Sequence, residues 1–202
     1  MRPAPLTPRP EWHHLPRLAP EFYRGFAVVL WTTTLERRAT GWLDELFHLH
    51  FRELLLHAAA RQSLFCPVYV LMPDHLHVVW MGMRLRSDQR LASRFLRKHL
   101  ASALARRSST GVEYELQEQS HDSVLQEKDR RRGAFTQACS YVLDNPRRRG
   151  LVGHPRDCPY LGAVVPGCPW LHPLAEDFWE QFWGIYVKER EPTPSGPPGL
   201  GE

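Results

Sequence analysis

The 202-residue sequence predicts a mixed α+β fold, and three observations support this class. Short segments rich in β-branched and aromatic residues, typical of strands, alternate with longer segments whose apolar residues recur at helical spacing. Two of the strand segments are separated by only three residues, which indicates a hairpin. The resulting order, β-α-β-β-α-β-α, is typical of a ferredoxin-like sandwich, in which helices pack on one face of an antiparallel sheet.

The first half of the chain supplies three strands and one helix. Residues Phe22 to Thr34 end in three threonines and predict the first strand. Gly41 to about Ala60 predicts a helix, because leucine and phenylalanine recur there every three or four residues. Leu64 to Leu71 predicts the second strand, and His75 to Met81 predicts the third. Pro73-Asp74 lies between them as the hairpin turn.

The second half is predicted to contain three helices, the last of them after a loop-rich stretch with Pro155, Pro159, Pro166, Pro169 and Pro173. Ser87 is a candidate cap for a helix running to about Arg106. Residues 112–125 are ambiguous and leave room for a fourth strand. A further helix is predicted from about Lys128 to Asp144, with Pro146 as its stop signal. A short C-terminal helix is predicted from an aromatic segment that contains Phe178, Trp179, Phe182, Trp183 and Tyr186.

The domain organisation follows from composition. A main domain is expected at residues 21–155, after a proline-rich segment at 1–20. Residues 156–190 are expected to form an extension that packs on this domain, and 191–202 a disordered Pro/Gly tail. No stretch is long and apolar enough to span a membrane, and the four cysteines form no CxxC pair. A cytoplasmic protein, associated with the bacterial nucleoid, is therefore expected.

Basic residues are clustered although the formal charge is only +4. Such local patches favour phosphate-rich partners such as nucleic acid, and the other interpretation is a set of solvated helix faces. One cluster lies on the predicted helix that begins near Ser87, and another follows the helix around Tyr141. The candidate DNA-binding residues in these two clusters are Arg90, Arg94, Arg97, Lys98, Arg147, Arg148 and Arg149.

The most informative feature is the pair His75 and His77 in the third strand. Successive residues of a strand point to opposite faces, so these two imidazoles project from the same face. Two imidazoles placed in this way can bind one metal ion from a rigid base, although such a pair is often only structural. Mixed nitrogen and oxygen ligation with open positions suits Mg²⁺ or Mn²⁺.

Tyr141 and Asn145 lie one helical turn apart and would share a flank of their helix. If this flank reaches the rim of the sheet, a phenol would lie beside the metal and Asn145 could supply a third, oxygen ligand. A tyrosine of pKa ~10 needs activation as a nucleophile, and a cation that polarises a phosphate lowers that demand. On composition alone, other tyrosines remain rival nucleophiles: Tyr69, Tyr114, Tyr160 and Tyr186.

Three motifs in this chain resemble those of the REP-associated tyrosine transposases, a group of single-tyrosine HUH transposases. Met72 to His77 resembles the family's MPxHxH signature. Residues 141–152, with Tyr141, Asn145-Pro146 and Gly150-Leu151-Val152, resemble its YxxxNPxxxGLV signature. Between them, Gln117, His121-Asp122 and Val124-Leu125 are similar to a third family segment. The resemblance covers about residues 22–155.

The resemblance implies a ferredoxin-like endonuclease domain that cuts and rejoins single-stranded DNA near hairpin-forming repeats. It implies that Tyr141 is the nucleophile that forms a 5′-phosphotyrosine, and that His75, His77 and Asn145 hold the metal. His121 and Asp122 become candidates to orient a ligand or contact DNA. The expected partner is single-stranded DNA with hairpin structure, and the protein would act as a monomer or a homodimer.

This chain departs from the family pattern at four positions. Leu116 and Ser120 stand where the third segment usually has Trp and Phe. Arg147 and Arg149 make the turn after Asn145-Pro146 more basic than usual. These changes concern structural support and DNA contact, so they bear on substrate preference more than on the chemistry.

Three other functions remain open at this point. The chain could be a domesticated DNA-binding protein that keeps the fold without turnover. It could be a related HUH replication initiator or relaxase, although the order of histidines before tyrosine favours a transposase. It could also be a metal-free RNA-binding module, because ferredoxin-like sheets bind RNA, but the usual aromatic strand signature is absent from the sequence.

Overall fold

The computed structural model of the chain describes residues 17–108 and 112–192, and in these ranges it contains five strands and five α-helices. In chain order the elements are β1 (Val28–Thr34), α1 (Glu45–Gln62), β2 (Leu64–Met72), β3 (His75–Gly82), α2 (Gln89–Ala105), β4 (His121–Val124), α3 (Glu127–Arg130), α4 (Ala134–Arg148), β5 (Leu161–Val164) and α5 (Phe178–Glu189).

The five strands form one antiparallel sheet in the order β4-β1-β3-β2-β5. The first four strands follow the ferredoxin-like arrangement, and β5 is added at the edge beside β2. The predicted α+β class with an antiparallel sheet is therefore confirmed. Because β1 and β3 lie at the centre, side chains at the start of β3 are supported by neighbouring strands on both sides.

Helices cover both faces of the sheet, whereas the sequence had predicted them on one face. Helices α1 and α2 pack on the face that carries Trp31, Tyr69 and Trp80. Helices α4 and α5 pack on the face that carries Val70 and Val79. All residues of β2 and β3 are buried, so apolar side chains on both sides of these strands need cover. The unbroken apolar runs in the sequence are the signal of this second layer.

Some of the predicted element boundaries are confirmed, and others are shifted. The β2–β3 hairpin turns at Pro73-Asp74 as predicted, and the ambiguous segment contains β4. The first strand starts later than predicted, since Pro20–Tyr23 forms a 3-10 turn. The cap of α2 is Asp88, whose carboxylate accepts from two backbone amides, and not Ser87.

The helix predicted at 128–144 differs at both ends. Gly133 has a φ of +86°, which separates the short α3 from α4. Pro146 does not stop α4, which continues to Arg148. Gly150, with a φ of +67°, ends the helix instead: its amide bonds to the carbonyl of Arg147, and the next amide bonds to the carbonyl of Pro146. These two hydrogen bonds stabilise the last turn of α4, although Pro146 has no backbone N–H to donate.

The C-terminal part adds one strand and one helix to the main domain. Strand β5 lies within the segment that was expected to be loop-rich, and it pairs with β2. The predicted aromatic helix is α5, with Phe178 and Phe182 fully buried against the sheet. The proline-rich residues 1–16 and the tail at 193–202 lie outside the described residues. Across the described ranges, no helix combines the length and apolar character needed to cross a membrane.

Candidate functional site

Two histidines at the start of β3 form the centre of the candidate site. His75 and His77 are each only 4% exposed, and both project from the face covered by α4. Their Nε2 atoms lie 3.1 Å apart, with the two ring planes nearly perpendicular. The strand thus brings the two imidazoles to one point, as the alternation of side chains predicted.

The outer nitrogen of His75 is bound by a carboxylate. Nδ1 of His75 lies 2.6 Å from Oδ1 of Asp74, and the other carboxylate oxygen accepts from Arg38 at 3.1 Å. Arg37 and Arg38 have left-handed φ angles of 53° and 54°, which are rare for residues with a Cβ. This turn after β1 places the guanidinium of Arg38 beside the hairpin turn of β2 and β3.

The outer nitrogen of His77 is bound by a hydroxyl from the adjacent strand. Thr32 is the direct cross-strand partner of His77, and its Oγ1 lies 2.8 Å from Nδ1. The side-chain amide of Asn145 approaches from α4, with its Nδ2 at 3.2 Å from Nε2 of His77. Asn145 is buried, so the last turn of α4 covers the two imidazoles.

Burial disfavours the charged form of both imidazoles. It lowers the pKa of His77 to about 3, with further contributions from the charges of His75 and Arg149. Burial also lowers the pKa of His75, against the opposing effect of Asp74. For Asp74, burial acts to raise the pKa, but the hydrogen bond from His75 and the charge of Arg38 outweigh it and lower the pKa. Neutral imidazoles are the form that binds metals.

These residues fit a divalent metal. Both outer nitrogens are held by oxygen atoms, as is usual for metal-binding histidines, and both Nε2 atoms face the same point. Within residues 17–108 and 112–192, no three side chains of His, Cys, Asp or Glu lie together as a metal site. A third protein ligand would therefore be the amide of Asn145, whose oxygen faces the imidazoles after a half-turn of its terminal torsion.

Tyr141 lies beside this group, as its position one turn before Asn145 predicted. Its ring centroid is 5.4 Å from that of His77, in an edge-to-face arrangement. The side chain is 39% exposed, so its hydroxyl end is accessible to a large substrate. The guanidinium of Arg148 lies 5.2 Å from the centroid of the Tyr141 ring, within the range of a cation–π contact.

The three arginines at the end of α4 have different environments. Arg147 forms a two-bond ion pair with Asp144 on its own helix. Arg148 covers the ring of Tyr141. Arg149 is exposed, and its charge lowers the pKa of both His75 and His77. Arg148 and Arg149 are thus the members of this cluster that lie near the candidate site.

His121 and Asp122 are neighbours in β4 but lie on opposite faces of the sheet. His121 is aligned with Thr32 and, through it, with His77, and its charge contributes to the lowered pKa of His77. Asp122 accepts a hydrogen bond from Tyr23 at 2.5 Å and pairs with Arg17 at 3.3 Å on the other face. Only His121 is brought to the site face.

The basic residues of α2 also lie on the face opposite the histidines. Arg97 bonds to Ser120 and to the carbonyls of Gln117 and Glu118, so its guanidinium holds the loop before β4. Arg90 lies over the ring of Tyr23, whereas Arg94 and Lys98 are exposed. The structure therefore does not bring this cluster together with Tyr141.

Asp74, Thr32 and Arg38 belong to the hydrogen-bond network around the two histidines, and the sequence does not predict this. Asp74 stands directly before His75, which is a usable signal because a turn residue can reach the ring that follows it. Thr32 could be found only once the register of β1 against β3 is known. Arg38 is placed by backbone angles that a sequence pattern does not predict.

Comparisons with known proteins agree with this fold. No protein-family model matches the chain, and no curated protein matches it. Among solved structures, the chain is similar to that of a REP-associated tyrosine transposase bound to a REP hairpin, with a TM-score of 0.56. The match covers 94% of this chain and 96% of that chain, at 18% sequence identity. At this identity the likeness establishes the fold, and it agrees with the resemblance found in the motifs.

Proposed function

We propose that this protein is a metal-dependent endonuclease and strand transferase that acts on single-stranded DNA near hairpins. The observation that supports this function best is the meeting of two distant motifs. The paired imidazoles of β3 and the Tyr141–Asn145 turn of α4 come together at one accessible rim. A buried tyrosine or scattered histidines would offer no comparable reaction centre.

In the proposed reaction, the phenol oxygen of Tyr141 attacks the phosphorus of a phosphodiester. A bond forms between this oxygen and phosphorus while the bond from phosphorus to O3′ breaks. The phenol proton passes to solvent, and the departing O3′ takes up a proton to become a 3′-hydroxyl. The other strand end remains attached as a 5′-phosphotyrosine. Attack of a 3′-hydroxyl on this ester reverses the step and rejoins a strand without a nucleotide cofactor.

His75, His77 and Asn145 would hold Mg²⁺ or Mn²⁺ next to Tyr141. A bound divalent cation supplies charge that polarises the scissile phosphate. Arg149 stands near the same point and would bind a phosphate oxygen of the strand. Arg148 lies over the phenol ring. Its positive charge favours phenolate character of Tyr141, both when the phenol attacks phosphorus and when it leaves in the rejoining step.

Hairpin DNA is the proposed partner for two reasons. The similar transposase is bound to a REP hairpin, and this chain carries basic residues on both faces of its sheet. Arg148 and Arg149 would hold the single strand at the site, whereas Arg90, Arg94 and Lys98 would hold the stem. A flexible single strand suits the recessed imidazoles, because it can bend over the rim toward Tyr141.

The first experiment tests for the covalent intermediate. Wild type, Tyr141→Phe and Tyr114→Phe would be incubated with labelled single-stranded hairpin oligonucleotides and Mn²⁺, and then separated on a denaturing gel. Tyr114 is a matched control, because it is a half-buried tyrosine that packs on the opposite face. The expected result is an adduct with wild type and Tyr114→Phe, and none with Tyr141→Phe.

Other outcomes distinguish the remaining functions. An adduct with all three proteins would indicate that another tyrosine is the nucleophile. Salt-sensitive binding of the hairpins without any adduct would favour a DNA-binding protein that has lost turnover. Tighter binding of RNA than of DNA of the same sequence would favour an RNA-binding module and contradict the proposal.

A further inference from the structure

We infer that Thr32 and Asp74 are positioning residues that fix the protonation pattern of His77 and His75, so that both Nε2 lone pairs point at the metal. This inference rests on the proposed metal function and adds two residues to it. Each of them bonds the outer nitrogen of one imidazole, at 2.8 Å for Thr32 and 2.6 Å for Asp74.

The protonation of His75 follows from its partner. Asp74 is ion-paired with Arg38, so its side chain is a carboxylate and can only accept hydrogen bonds. In its neutral form, the His75 ring therefore has its proton on Nδ1 and a lone pair on Nε2. The turn that presents this carboxylate is held by two bonds to its backbone. The amide of Leu35 bonds to the carbonyl of Asp74, and the indole of Trp42 bonds to that of Pro73.

The protonation of His77 follows from its proposed role as a ligand through Nε2. A ligating Nε2 must carry a lone pair, so the ring proton of the neutral imidazole lies on Nδ1. The hydroxyl of Thr32, 2.8 Å from Nδ1, is the acceptor for this proton. The direct cross-strand pairing of Thr32 with His77 makes this contact a property of the sheet register.

The two assignments together have an electrostatic consequence. With both ring protons on Nδ1, the two Nε2 lone pairs would face each other at 3.1 Å, and a cation next to both would relieve their repulsion; with one proton on Nε2, the same distance is a hydrogen bond between the imidazoles. Without the hydroxyl of Thr32, the proton of His77 can move to Nε2 and be donated to Nε2 of His75. The two imidazoles would then bond to each other and close the metal site.

Three consecutive threonines offer a matched experiment. Thr32→Val removes the hydroxyl at the site, Thr32→Ser keeps it, and Thr33→Val removes a buried hydroxyl that bonds to Ser120 on the other face. Mn²⁺ affinity would be measured by electron paramagnetic resonance on each full-length protein. The position of the ring protons would be read from nitrogen–proton correlation spectra of ¹⁵N-histidine-labelled protein without metal.

Thr32→Val is expected to weaken Mn²⁺ binding by about 10- to 100-fold, as removal of such outer partners usually does. The His77 proton is expected to move from Nδ1 to Nε2 in this variant alone. Thr32→Ser and Thr33→Val should retain wild-type affinity and wild-type spectra. Asp74→Ala should weaken Mn²⁺ binding to a similar extent and perturb the spectrum of His75.

The inference is overturned if Thr32→Val binds Mn²⁺ as tightly as wild type or leaves the His77 proton on Nδ1. It is also overturned if Thr33→Val weakens Mn²⁺ binding as much as Thr32→Val does, since the effect would then be a general one of losing a buried hydroxyl. His75→Ala separates this failure from failure of the metal function. If wild type binds Mn²⁺ no better than His75→Ala, the proposed metal site itself is wrong.

Discussion

The two faces of the sheet carry the same kinds of polar side chain and use them in different ways. On the α1–α2 face, Tyr23 donates to Asp122, which also pairs with Arg17, and Arg97 bonds to the loop before β4. On the α4 face, Tyr141 is exposed and the Nε2 atoms of the two imidazoles converge. The first set connects segments of the chain to one another, whereas the second places an exposed phenol beside two imidazoles, the arrangement that we propose binds a ligand.

This contrast separates residues that are adjacent in the sequence. Thr32 contacts His77, whereas Thr33 bonds to Ser120 on the other face. His121 lies on the site face, whereas Asp122 does not. The face on which a residue lies therefore decides which of the two groups it can contact.

The largest effect is expected for Asp122, and it should be on stability. Asp122→Asn removes the charge that pairs with Arg17 and weakens the bond from the fully buried Tyr23. Burial, together with Asp122, raises the pKa of Tyr23 to about 12, so the phenol remains a donor that needs an acceptor. We expect the free energy of unfolding to fall by about 1–3 kcal/mol, measured by urea denaturation.

His121→Ala is the matched control for Asp122→Asn. His121 is exposed, so its removal should change the free energy of unfolding by less than about 0.5 kcal/mol. Adduct formation per folded molecule should fall with His121→Ala and stay unchanged with Asp122→Asn. The reverse pattern would place the substrate on the other face and contradict the comparison.

Much of the fold could be predicted because its signals are local. The hairpin at Pro73-Asp74 and the aromatic helix α5 follow from turn chemistry and residue spacing. The end of α4 could not be predicted from Pro146 alone. The helix ends just before Gly150, where the amides of Gly150 and Leu151 bond to the carbonyls of Arg147 and Pro146. Strand β5 was missed because four small and apolar residues between prolines carry too weak a pattern.

The candidate site could be predicted in part, for a similar reason. His75 with His77, and Tyr141 with Asn145, have spacings that fix their relative positions within a strand or a helix. Thr32 and Arg38 depend on strand register and on turn geometry, which are set by the whole sheet. The separation of α2 from the site also depends on the face to which the helix packs, and the spacing of its arginines contains no such information.

A smaller effect is expected at the end of α4, on the rate of the reaction. Arg148→Ala removes a cation–π contact with Tyr141 that is worth about 0.5–1 kcal/mol at an exposed position, so adduct formation should slow by about 2- to 5-fold. Arg147→Ala is the control, since Arg147 pairs with Asp144 on the helix surface. Single-turnover rates at saturating DNA would measure both. Equal slowing in the two variants would indicate a general loss of positive charge.

The smallest effect on the chemistry is expected from the basic surface of α2. Replacing Arg90, Arg94 and Lys98 with glutamine leaves Arg97 in place, because its guanidinium holds the loop before β4. If these three residues bind phosphates of a hairpin stem, the slope of log affinity against log salt should become shallower by about 2 to 3. The adduct rate at saturating DNA should not change, because α2 lies on the face opposite Tyr141.

An unchanged slope would mean that this surface is only solvated and that Arg148 and Arg149 carry the electrostatic attraction. A lost adduct with an unchanged slope would mean that the two faces are coupled through the sheet, and the division of roles between them would be wrong.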